Sequence, residues 1–228
     1  MPALIAACLV SLIVIALLWQ RQLALRRDAY IRSFTLPVGL FDSLRKRHPS
    51  LTLKECQLVA HGLRQFFLAY LKSGRQFVSM PSQVTDDLWH EFILHTRAYQ
   101  MFCEKAFGRF FHHTPAVVLS DGKQSNAGLR RCWWYACRDE NIDPRSPTRL
   151  PLLFALDGKL AIAGGFLYVA NCDTVRQLGV SSGSVVHCGG DFSSASVDGG
   201  TDGFGDSSSS DGGGDGGCLL YTSPSPRD

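Results

Sequence analysis

Residues 81–113, PSQVTDDLWHEFILHTRAYQMFCEKAFGRFFHH, decide how this chain is read. Val84, Leu88, Phe92, Tyr99 and Phe102 mark one helical face, which Trp89 and Ile93 widen. A helix that is apolar over so much of its surface is largely buried. Pro81 stands where proline favours the first turn, and Gly108 ends or kinks the helix. Set among these apolar residues are Asp86, Asp87, His90, Glu91, His95, Cys103, His112 and His113. Polar groups in such surroundings need partners. The segment therefore holds either a buried hydrogen-bond network or a metal or catalytic site.

Two readings follow from the spacing. Asp87, Glu91 and His95 stand at i, i+4 and i+8, one stripe of a helix, and Asp86 and His90 form a neighbouring i, i+4 pair. Asp86, Asp87, His90, Glu91 and His95 are thus the candidate functional cluster. In the favoured reading Asp86 or Asp87 orients His90 by a hydrogen bond and Cys103 is core. In the competing reading some of His90, His95, Cys103, His112 and His113 bind zinc or another transition metal, for which imidazole, carboxylate and thiolate are all ligands. The run HEFILH resembles the zinc-peptidase HExxH with one residue added. The insertion turns the two histidines about 140° apart on a regular helix, so a peptidase is not expected.

Outward from this segment, residues 3–19, ALIAACLVSLIVIALLW, carry no charge. That length is at the short end of the roughly 17–25 apolar residues that span a bilayer. Arg21, Arg26 and Arg27 follow it and no Lys or Arg precedes it, which predicts a single-pass anchor with its N-terminus outside and the remainder in the cytosol. A cleaved signal peptide fits less well, because Trp19, Gln20 and Arg21 make no small-residue cleavage site. In the cytosol, Cys56, Cys103, Cys132, Cys137, Cys172 and Cys188 are expected as core thiols or metal ligands rather than disulfides.

Between anchor and centre, residues 36–48 predict a short amphipathic helix with Phe41 and Leu44 inward and Arg45, Lys46 and Arg47 outward. Thr52 and Glu55 form a capping box. Cys56, Val59, Leu63, Phe66, Phe67 and Tyr70 then recur at helical spacing as far as Gly74, with His61 on the solvated face. Beyond the centre, Asn126 is a candidate cap for a helix over residues 127–140 with Leu129, Trp133 and Ala136 inward. A last helix is expected over residues 152–162. Arg130, Arg131, Trp133, Trp134, Tyr135 and Arg138 interleave basic and aromatic residues as stacking platforms for nucleic acid do. A core face explains Trp133 better and a solvated face the charges, so nucleic acid is not an expected partner.

The net charge of +3 is nearly balanced, but residues 183–217 carry acidic charges only. Their Gly/Ser/Asp composition offers too little apolar surface to offset ordering entropy. Residues 218–228, CLLYTSPSPRD, read as the translation of a sequencing-library adapter and are set aside. The expected organisation is a transmembrane anchor (1–21), a basic juxtamembrane segment (22–35), a helical domain (36–170), a disordered Gly/Ser/Asp-rich tail (171–217) and the adapter segment (218–228). The fold class is mainly α.

The residues Asp86 or Asp87, Trp89-His90, Tyr99, Phe102-Cys103, Gly108 and His112-His113, with LPLLFALD at 150–157 and the Gly-rich tail, resemble the signature of glycine-rich domain-containing proteins and their bacterial relatives. That resemblance implies a membrane-anchored bacterial member, set in the inner membrane, and no established reaction. The expected function is a membrane-tethered interaction or scaffold module, with the bilayer as one partner through residues 3–19 and an unidentified protein as another. The alternative is a metal-dependent enzyme, a hydrolase using zinc, centred on Trp89 and His90.

Overall fold

The computed structural model describes residues 2–113, 122–170, 186–188 and 192. Among them are seven helices, α1 (Pro2–Ser33), α2 (Leu40–Arg47), α3 (Leu53–Lys72), α4 (Gln83–Leu94), α5 (Thr96–Phe107), α6 (Gly122–Asp139) and α7 (Leu152–Lys159). Two short strands, β1 (Leu167–Val169) and β2 (Val186–Cys188), pair in parallel with Tyr168 opposite His187. The protein is mainly helical, as its periodicity predicts.

Helix α3 is the hub. Its N-terminus carries the predicted capping box, with Thr52 accepting from the Glu55 amide while the Glu55 carboxylate accepts from the Thr52 amide. Gly74, at φ 73°, follows its C-terminus. Cys56, Val59, Leu63, Phe66, Phe67 and Tyr70 are all buried, and α1, α2, α4, α6 and α7 pack around the helix. Gly62 permits the closest approach. A Cβ there would lie 2.4 Å from Leu156 Cδ1 of α7 and 3.3 Å from Thr85 Oγ1 of α4. Leu156 is fully buried and has no solvent to swing into.

Helix α1 is long and apolar enough to cross a membrane, with a mean hydropathy of 1.8 in its most apolar window and none of that window buried. Its last turns do something different. Ile31 is fully buried, and the rings of Tyr30 and Phe34 pack against Phe102 of α5 at 5.9 and 4.7 Å between centroids. Arg32 bonds Asp28 and Asp139, and Lys72 reaches Asp139 at 2.8 Å and Asp28 at 3.4 Å. The expected juxtamembrane segment 22–35 is therefore the tail of one continuous helix, and its end belongs to the core.

Three further expectations are corrected. The helix expected to run from Pro81 to Gly108 is two helices broken at His95. Its N-cap is Ser82, with Pro81 one residue outside. Helix α6 begins at Gly122, which places Asn126 inside the helix rather than at its cap. Past residue 170, the described residues 186–188 and 192 join the helical body: β2 pairs with β1, and Phe192 is buried against Trp133, Phe154 and Tyr168. The rest of the expected tail, and residues 218–228, lie outside the described residues.

Asp157, at the end of LPLLFALD, explains how α7 meets α4. Its carboxylate is buried and accepts from Ser82 Oγ (2.8 Å), the Gln83 amide (2.7 Å), the Val84 amide (3.2 Å) and the Phe166 amide (2.9 Å). A negative charge at a helix N-terminus, meeting otherwise orphaned N–H groups, is doubly favourable there.

Replacing Gly62 with Val should cost about 1–3 kcal/mol in denaturant unfolding, because the added methyls meet buried atoms on two helices. Asp157→Ala should cost about 3 kcal/mol or more, since it leaves several buried donors without an acceptor. Burial raises the Asp139 carboxyl, but the hydrogen bonds from Arg32 and Lys72 outweigh it and hold the group below its ordinary value. A depressed carboxylate stabilises above its unfolded pKa and loses that contribution as pH falls through the folded value. An acid titration of stability should thus weaken the grip on α1 below about pH 4, and Asp139→Asn should flatten that part of the profile.

Candidate functional site

The site is set up by the break at His95. Ten residues of straight helix would put Trp89 and Tyr99 about 15 Å apart. Instead Trp89 Nε1 donates to Tyr99 Oη at 3.1 Å, and Tyr99 Oη donates to the Phe111 carbonyl at 2.5 Å. The chain turns at His95, so that the start of α5 packs on the side of α4. Burial raises the Tyr99 phenol far above its ordinary value and keeps the hydroxyl a donor. Phe111 in turn stacks on Tyr70 at 3.8 Å, nearly parallel, and packs on Trp89 at 5.0 Å. The chain leaving α5 is thereby pinned across the face of α4, and His113 arrives beside Asp86.

There the Asp86 carboxylate is shared between two imidazoles. His113 Nε2 lies 2.9 Å from Oδ1, and His90 Nδ1 lies 3.4 Å from Oδ2. The two histidine rings are 4.2 Å apart, and the His113 ring meets Trp89 at 4.6 Å. One donor atom from each of Asp86, His90 and His113 falls within 4.8 Å of the others. All three side chains are partly buried, with 42 % of His90 exposed and 15 % of His113. Two imidazoles and a carboxylate at this spacing suit a first-row divalent cation and leave its remaining positions open to solvent.

Of the sequence-predicted cluster, Asp86 and His90 meet here. Asp87 and Glu91 occupy the next stripe of α4, about 100° around the helix. They hold α2 instead: Arg47 Nη1 reaches Asp87 at 2.6 Å, Arg47 Nη2 reaches Glu91 at 3.4 Å, and His48 Nε2 lies 2.8 Å from Asp87 Oδ2. Arg47, expected to point outward, is thus a clasp between helices. His95 stands at the break between α4 and α5 and is exposed, so the expected Asp87–Glu91–His95 stripe ends at Glu91.

The metal-ligand set divides in the same way, His90 and His113 coming together while the others stand apart. Cys103 is fully buried, and desolvation raises its thiol. A thiol held protonated is a poor ligand. His112 is exposed and its ring packs on Phe110 at 4.8 Å. Sequence reasoning missed the partnership of Asp86 with His113. It spans 27 residues and depends on the reversal at His95. The signal was present in the pairing of Trp89 with Tyr99, two buried polar rings that need one another.

The remaining candidates are accounted for by their contacts. Trp133 is buried and donates to the Pro144 carbonyl at 3.1 Å, and Arg131 donates to the Phe77 carbonyl. Trp134 is flanked by the guanidinium groups of Arg138 and Arg145 at 5.9 and 5.8 Å. Cys132 and Cys137 are buried free thiols. Burial, with the Glu140 charge adding to it, leaves Cys137 pushed up to about 12.

A family model described as UCP032817-like matches residues 26–192, and the chain belongs to that family. This overturns the resemblance to glycine-rich domain-containing proteins, which nothing in the comparisons upholds. Trp89, Tyr99, Phe102 and Cys103, which carried that resemblance, are buried positions of the α4–α5 reversal, and a pattern of core residues is shared by unrelated proteins that pack alike. The match begins inside α1 and ends at Phe192. No curated protein and no solved structure matches the chain.

Tyr99→Phe should cost about 1–3 kcal/mol in equilibrium unfolding, because the Trp89 N–H loses its buried acceptor and the Phe111 carbonyl its buried donor. Double-mutant cycles with Trp89→Phe should return a coupling of the same sign, and independent effects would mean that the relay does not hold α5 against α4.

Proposed function

We propose that this protein is a membrane-tethered interaction module, anchored through residues 3–19 with its N-terminus outside and its helical body on the cytosolic side. The observation that carries the reading is the continuity of α1: one helix supplies the exposed apolar stretch and, without a break, the buried Ile31 of the core. Arg21, Arg26 and Arg27 directly after the apolar run support the orientation. A body held in this way meets partners that share its membrane. Expressed full-length chain should stay with membranes through alkaline extraction, and a C-terminal tag should become protease-sensitive only after the inner face is opened. Release into the soluble fraction, or a tag cleaved from outside, would overturn the anchor or its direction respectively.

A second reading rests on Asp86, His90 and His113, whose donor spacing favours a divalent cation, zinc being the ion the donor set suits best. The chain's own residues would hold it, with Asp86 between two neutral imidazoles and Trp89 against the His113 ring. Bound metal would supply Lewis acidity at an open position, which a hydrolase needs. Elemental analysis of the full chain in detergent, purified from zinc-supplemented cells, should find one equivalent that is lost in His90→Ala and His113→Ala and kept in His95→Ala. Absence of metal from the unmodified chain would make the cluster a hydrogen-bonded clamp on the chain after α5.

A further inference from the structure

We infer that the end of the body nearest the exposed part of α1 is a docking surface for anionic phospholipid, built around Arg27, Arg75 and Arg109. The inference rests on the reading of α1 as a membrane anchor and extends it from the helix to the folded body.

The direction of α5 places this surface. Phe34 and Tyr30 of α1 pack on Phe102, Lys105 Nζ lies 5.9 Å over the Tyr30 ring, and a Cβ on Gly108 would lie 2.6 Å from Arg27 Nη2. Successive contacts along α5 therefore step backward along α1, and the Gly108 end faces the apolar half of that helix. Arg27 follows Trp19 by eight residues, about 12 Å of helix, and the intervening Leu25 is still 56 % exposed. That distance is close to the Debye length of about 8–10 Å at ordinary salt, so charges here feel a bilayer surface.

The charges at this end are held by backbone and rings, not by carboxylates. Arg75 Nη1 donates to the Phe107 carbonyl at 2.9 Å. Arg109 donates to the Arg75 carbonyl and, through Nε, to Tyr70 Oη at 3.1 Å, with its guanidinium 5.7 Å from that ring. Arg27 lies near enough to Arg75 for the two charges to repel. No described carboxylate forms an ion pair with any of the three. The nearby acids are engaged elsewhere, Asp28 by Arg32 and Lys72 and Glu104 by Gln100. Gathering like charges without counter-ions is unfavourable in the body alone, and an anionic headgroup layer relieves it. Clusters of basic residues next to a membrane helix bind acidic lipid on this principle.

The test uses the full chain in lipid nanodiscs of phosphatidylcholine alone or with added phosphatidylglycerol, read by hydrogen exchange at the turns around Arg75 and Arg109. Exchange at these turns should slow about tenfold in the anionic discs, with the core of α3 unchanged, and the difference should vanish in high salt. Arg75→Lys with Arg109→Lys keeps the charge while removing the forked hydrogen bonds and should retain the lipid dependence. Arg27→Gln, Arg75→Gln and Arg109→Gln together should abolish it. Equal exchange in the two lipids, or a lipid dependence that survives the glutamine variant, overturns the surface. Retention of the chain in both discs tests the anchor separately. Loss from both overturns anchor and surface together, whereas retention with equal exchange overturns the surface alone.

Discussion

The hydrogen-bonded line from Trp89 through Tyr99 to the Phe111 carbonyl is the interaction on which the arrangement depends. It is buried throughout, so each member needs the others to satisfy its polar group. To make it, the chain must reverse at His95. The turn brings the start of α5 against α4, carries Phe111 into an aromatic nest with Tyr70 and Trp89, and delivers His113 to Asp86. It also turns the Gly108 end of α5 toward Arg27. The Asp86–His90–His113 cluster and the basic end of the body are thus two outcomes of one local decision.

The other half of the body is organised by side chains reaching between elements. Asp157 ties α7 to the first turn of α4, and Gln65 of α3 accepts from the Leu153 amide while donating to Glu140 at 2.9 Å. These bonds meet backbone groups at helix starts, where donors would otherwise be orphaned. They explain why polar residues such as Gln65, Ser82, Thr85 and Asp157 are buried in a core otherwise rich in Phe and Leu.

What the sequence made legible was local. The capping box at Thr52, the buried face of α3 and the apolar run of α1 follow from spacing of a few residues, and each is present as read. The break at His95 was not legible, because the apolar period runs through it. Val84, Leu88 and Phe92 continue in register with Tyr99 and Phe102 whether the helix is straight or folded back. The pairing of Asp86 with His113, and of Asp87 with His48 across 39 residues, depends on tertiary placement that periodicity does not encode. The parallel ladder between β1 and β2 escaped for a related reason. Strands of three residues have too little alternation to register as a pattern, and Phe192 is a lone aromatic in a polar run.

The unbroken course of α1 has a mechanical meaning. No Gly or Pro interrupts it between Ala3 and Ser33, and its last turns are clamped by Ile31, by the Tyr30 and Phe34 rings and by the Arg32–Asp139 pair. Such a helix is a lever arm rather than a leash. With α1 across a bilayer, as proposed above, a thickness unlike its apolar length would be answered by tilting, and the body would tilt with it. Lateral packing or bilayer thickness would then aim the α4 face, with its paired histidines, toward or away from neighbours in the plane. Orientation, rather than proximity alone, is what such an attachment would control.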